Sequence, residues 1–147
     1  MSMHRRPVGR ARMTAALGAA VTLVGCVLPW WTVGGGPGEM TPLSGNAFDS
    51  LGIVVFVAAL VTIALITLPY ATERPVTVDR WSSYVTVAAI AWLAFLYRVV
   101  DLFLQHALAF DAPVDVLSRI PGLWVTALGL ALLARSAYEL WQAPSAR

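Results

Sequence analysis

The sequence predicts an all-α fold, a four-helix bundle integral to a membrane, and three observations carry that reading. Of 147 residues, 59% are hydrophobic and 12% charged, with mean hydropathy +0.73, whereas a soluble domain carries about 25% charged and about 45–50% apolar residues. The apolar residues gather in four runs, each close to the roughly 20 residues a helix needs to cross a bilayer. The few charges are sorted between the segments that separate those runs. Such a composition fits poorly with a soluble enzyme, a disordered chain or a disulfide scaffold, and the length fits a single domain over 1–147.

The first run extends from about Met13 to Val33, and Pro29 should kink or stop it. The second extends from about Phe48 to Tyr70. Asp49 and Ser50 are placed to cap its start, where a carboxylate meets the positive end of the helix dipole, and Pro69 should close it. The third run covers Trp81 to Leu104. The fourth covers Ile120 to Leu140, with Pro121 suited to its first turn. All four are too long for strands and lack a two-residue alternation. In lipid a helix satisfies its own backbone, so long apolar runs are helical there. The intervening segments are 34–47, 71–80 and 105–119. Gly34-Gly35-Gly36-Pro37-Gly38 lacks the GK[ST] ending of a phosphate loop and reads as a flexible turn.

All ten basic residues are arginine, which we read as the coding bias of a GC-rich genome. Arg5, Arg6, Arg10, Arg12, Arg74, Arg80, Arg135 and Arg147 fall on one side of a four-span layout; on the other side lies only Arg119. The positive-inside rule then places both termini and the 71–80 segment in the cytoplasm of a bacterial cell, in its plasma membrane. Trp30, Trp31, Phe110 and Trp124 are expected at the outer interface, and Tyr70, Trp81, Tyr84, Tyr138 and Trp141 at the inner one. The basic N-terminus is a topology signal rather than a nucleic-acid site, so the partner it implies is the lipid bilayer. Leu23-Val24-Gly25-Cys26 resembles a lipobox, but the run stays apolar through Trp31, where a lipoprotein usually has a polar tether. An uncleaved anchor is therefore the main reading.

Arg98 is the one arginine left inside a span, and Asp101 follows it at i+3, on the same helix face. Tyr84, Ala91, Ala94, Arg98, Asp101 and Gln105 share a stripe of roughly 100°, with Leu93, Leu96, Val100 and Leu104 opposite. The stripe is expected to face the bundle and the leucines the lipid. An arginine at a bilayer centre costs at least about 2.5–3.5 kcal/mol. Arg98 lies about 9 Å from the helix end at Leu104, near enough for its side chain to reach outward. Asp49, Arg98 and Asp101 are thus the candidate cluster, a structural ion cluster on one reading and a binding site on the other.

Ala15, Gly18, Thr22 and Gly25 line one face of the first helix, and Gly122, Thr126, Gly129 and Ser136 one face of the fourth. Small residues let helices approach closely in lipid. These faces suit packing within the bundle first, and a membrane partner or a second copy only after that. Arg135 and Glu139 pair at i, i+4, and Asp111 and Asp115 are expected to be solvated. His4 and His106 are isolated, the single Cys26 excludes a disulfide or cysteine metal cluster, and Ser44, Ser50 and Ser118 lack triad companions. No catalytic set, metal site or cofactor is expected.

Leu28-Pro29-Trp30-Trp31 with its glycines, Asn46-Ala47-Phe48-Asp49, Tyr97-Arg98-Val99-Val100-Asp101 and Gly122-Leu123-Trp124 are short motifs spread over nearly the whole chain. On them the sequence resembles a group of small four-span membrane proteins common in actinobacteria. That group often follows the Tyr-Arg-x-x-Asp segment with prolines and glycines, whereas here Leu102-Phe103-Leu104-Gln105 continues the apolar run. The resemblance implies no activity, and it adds weight to Asp49, Arg98 and Asp101 as one outer-leaflet cluster. The function expected is a non-enzymatic accessory or scaffolding component acting through helix packing. The alternative is a small-molecule or lipid-binding or transport component that uses Arg98 and Asp101. A water-accessible cavity at Arg98 favours the second reading; an Arg98 fully satisfied by Asp101 and Asp49 in a dry bundle favours the first.

Overall fold

A computed structural model describes residues 9–71, 81–108 and 113–142. Four long helices dominate it: α1 (Arg10–Val27), α2 (Gly52–Ala71), α3 (Trp81–Leu104) and, last in the chain, α5 (Pro121–Gln142). All four are long and apolar enough to cross a membrane. They form a ring in which α1 packs on α5 and α2, and α3 packs on α2 and α5. Arg5, Arg6, His4, Arg74, Arg80, Phe110, Asp111 and Arg147 lie outside the described residues.

The third helix has the predicted limits, and Pro121 opens α5 as expected. Elsewhere the boundaries shift, for identifiable reasons. Helix α1 stops at Val27, six residues before the end of the apolar run. Leu28 precedes Pro29 and is extended (φ −70°, ψ 157°), the conformation a following proline enforces. The rest of that run, expected to be helical, forms strand β1 (Trp31–Val33), paired antiparallel with β2 (Leu43–Gly45) so that Thr32 faces Ser44. The glycine segment between the strands is an ordered turn. Gly34 and Gly35 both have φ above +80°, and Gly35 N donates to Met40 O at 3.1 Å.

Asp49 and Ser50 do not cap α2. Asp49 instead closes a 3-10 turn (Ala47–Asp49), where its carboxylate accepts from Asn46 N at 3.0 Å while Asn46 Oδ1 accepts from Phe48 N at 3.1 Å. Pro69 lies in the last turn of α2, and the helix runs on to Ala71. A proline there forfeits a single backbone bond. The 105–119 segment contains a short helix, α4 (Pro113–Ser118), which receives the Trp124 indole N–H on Val116 O at 3.0 Å.

The centre of the bundle is the antiparallel seam between α1 and α5, where the two predicted small-residue faces meet each other. A Cβ on Gly25 would come within 2.5 Å of Thr126 N, and one on Gly129 within 2.6 Å of Thr22 N and 2.9 Å of Gly18 O. The backbones touch because no side chain intervenes. Trp30 closes one end of this core. It was expected at the lipid interface, yet it is fully buried. Its indole N–H donates to Gly25 O at 2.9 Å, and its ring meets Phe95 edge-on at 5.7 Å. Tyr84, expected both at the inner interface and on the bundle-facing stripe of α3, is buried as the stripe requires, whereas Tyr70, Trp81, Trp124, Tyr138 and Trp141 are about half exposed. The described ends of α1 and α5, Arg10 and Gln142, lie together at one end of the bundle. The hairpin, the 3-10 turn and α4 form the other.

Candidate functional site

Helix α3 presents the predicted faces for most of its length. Tyr84, Ala91 and Arg98 are buried and Ala94 partly so, while Leu93, Leu96, Val100 and Leu104 are exposed. In its last two turns, Arg98, Asp101 and Gln105 stand one above another. Arg98 Nη1 donates to Asp101 Oδ2 in a close ion pair, and Gln105 Nε2 donates to Asp101 Oδ1 at 2.9 Å. The carboxylate is thereby engaged on both oxygens. The arginine is not: its side chain is 6% exposed, and its buried Nε–H has no acceptor among the described residues. A buried polar group left without a partner costs about 1–3 kcal/mol, and more when charged. Asp49, expected in the same cluster, is committed to Asn46 and makes no ion pair with Arg98.

Just beyond the pair, α3 ends in a Schellman motif. His106 N donates to Phe103 O at 3.1 Å, Ala107 N donates to Leu102 O at 3.0 Å, and His106 takes the left-handed conformation at φ 57°. Glycine usually occupies that position; histidine there turns the chain back over the helix end at the cost of some strain. The reversal leaves a cavity of about 300 Å³ between α3 and the hairpin. Arg98, Leu102 and Gln105 line it from the helix, His106 and Ala107 from the turn, and Trp31 and Val33 from β1. Trp30 N on Gly45 O at 2.8 Å closes the hairpin, and Thr32 Oγ1 on Arg119 O at 2.9 Å ties it to the segment before α5. The site therefore has a charged, half-satisfied donor, an amide, an imidazole and an apolar wall.

Gln105, Trp31 and His106 line this cavity but were not placed in the candidate cluster from the sequence. Gln105 carried a usable signal, since it lies at i+4 from Asp101 at the polar end of an apolar span. Trp31 and His106 carried none, because their roles depend on the hairpin and on the Schellman turn. A second concavity, about 510 Å³, lies between α3 and α5 nearer the other end, walled by Trp81, Val85, Ala89, Trp92, Ala134, Tyr138 and Trp141. Among the described residues, none that lines it is charged. Comparison with family models, with curated proteins and with solved structures finds no match for this chain.

Proposed function

We propose that the chain is a multi-pass protein of the bacterial plasma membrane, with both termini cytoplasmic, and that it binds a ligand from the outer face at the Arg98–Asp101 end. The cavity beside a buried arginine with an unused donor is the observation that carries this reading. Membrane insertion is supported by the belt of exposed Leu17, Val24, Val57, Leu60, Leu93, Leu96, Val100 and Leu128. Contiguous apolar surface on that scale does not suit a monomer in water. Orientation rests on the sorted arginines. An uncleaved first helix is favoured because Ala15, Gly18 and Thr22, which precede Cys26, are buried on α1's inner face. No catalytic role is assigned.

An accessory subunit that packs with a partner is the second reading. Its original motive, the small-residue faces, is spent inside the fold on the α1–α5 seam. The open α3–α5 concavity is what still favours it. Cysteine labelling in a Cys26→Ala background tests the main reading. Ser44→Cys and Ala107→Cys should react with a membrane-impermeant maleimide on intact cells, and Gln142→Cys only after lysis. An unreactive Ala107→Cys would remove the open cavity, and an outward Gln142→Cys the topology.

A further inference from the structure

The geometry points to a ligand class: an oxyanion, and specifically a phosphate group, held on the free edge of the Arg98 guanidinium. This inference rests on the binding role proposed for the same cavity. A guanidinium offers two forks. Asp101 occupies Nη1 alone, which leaves the side-on edge, Nε and Nη2, with two parallel N–H bonds. Among the described residues neither atom has an acceptor; Nε is closed to solvent as the side chain stands, so a guest engages that edge as Arg98 turns toward the cavity it lines. Two parallel donors match two oxygens of a phosphate or carboxylate, and such bidentate pairs are among the strongest hydrogen-bonded contacts in proteins. The rest of the lining suits the same guest. Gln105 spends its amide N–H on Asp101, holding that carboxylate engaged on both oxygens. His106 adds a further ring N–H, and Trp31, Val33 and Leu102 supply an apolar wall on one side of the contact. The exposed apolar face of α3, with Val100, Phe103 and Leu104, runs up to the same helix end, so a lipid phosphate and a free phosphate both reach the site by their own chemistry.

Full-length protein in maltoside micelles, which contain no phosphate, tests this. The probes are inorganic phosphate, dioleoyl phosphatidic acid doped into the micelles, and dioleoylglycerol as the phosphate-free control. Binding is read by native mass spectrometry and by the shift in melting temperature. Phosphatidic acid binding with no response to dioleoylglycerol is the expected result, and a response to inorganic phosphate alone would assign the free anion as the source. Arg98→Lys keeps the charge but not the fork, and should weaken binding about tenfold or more. Should Arg98→Lys fail to fold, Val33→Trp fills the cavity with Arg98 intact and should abolish binding at unchanged helix content. Equal affinity in wild type and Arg98→Lys, or no binding of either phosphate probe, overturns the inference. If Ala107→Cys still labels from outside, that failure leaves the open cavity standing and removes only the ligand class.

Discussion

Helix α5 meets α1 with Gly122, Thr126 and Gly129, backbone against backbone, whereas it meets α3 with Ala134, Tyr138 and Trp141 across a concavity of about 510 Å³. The difference lies in what faces the small residues. Opposite Gly129 stand Gly18 and Thr22, so the helices close completely. Opposite Ala134 and Ala137 stand Ala88 and Ala89, but Trp81 and Trp92 flank them, and Trp92 donates to Leu130 O at 3.2 Å. Large rings at both ends of a small-residue stretch hold the helices apart. A small-residue stripe therefore brings helices together only where its neighbours along the helix are also small.

Substitutions in the two regions should differ in size accordingly. Gly25→Leu puts a branched side chain into the Thr126 backbone and should destabilise the detergent-solubilised protein by about 3 kcal/mol or more, seen as loss of a cooperative melt. An unchanged melt would mean the seam is looser than its geometry. Asp101→Asn leaves the buried Arg98 without its carboxylate. About 1–3 kcal/mol should be lost, less than for a fully buried pair because Asp101 is 29% exposed. Stability equal to wild type would argue that the pair is not structural at all. Ala134→Leu points into the open concavity and should change stability by no more than about 0.5 kcal/mol. If a partner helix occupies that space, the same variant should shrink the complex on native electrophoresis of solubilised membranes; an unaltered complex removes the accessory role of this face.

Much of the fold was legible because long apolar helices follow from length and polarity alone. The Trp81–Leu104 limits and the inward turn of Arg98 needed only apolar periodicity. The end of α1 was harder. Leu28 to Val33 are as apolar as the helix before them, and only the proline rule separates the two, while the pairing partner Leu43–Gly45 lies ten residues on from the strand. Trp30 misled for a related reason: tryptophan near a span end usually sits at the interface, but here the chain leaves the helix at Leu28 and carries the ring back over the core. Within the site, Arg98 and Asp101 were visible as i, i+3 neighbours. The separation of Asp49 was not, because its capture by Asn46 depends on a 3-10 turn that hydropathy does not register. Arg135 and Glu139 paired as expected, at 3.0 Å, a contact local enough to be read from spacing alone.

The α1–α5 seam also sets an order of events during synthesis. These two helices have the lowest hydropathy of the four long helices, 1.2 each against 1.9 and 2.6, and each covers the other's glycine face. They stand at opposite ends of the chain. At about 5–20 residues per second, the stretch from Val27 to Pro121 delays their meeting by roughly 5–20 s. Throughout that interval the glycine face of α1 stands without its partner helix. The seam is thus closed only once the last of the four long helices has been made.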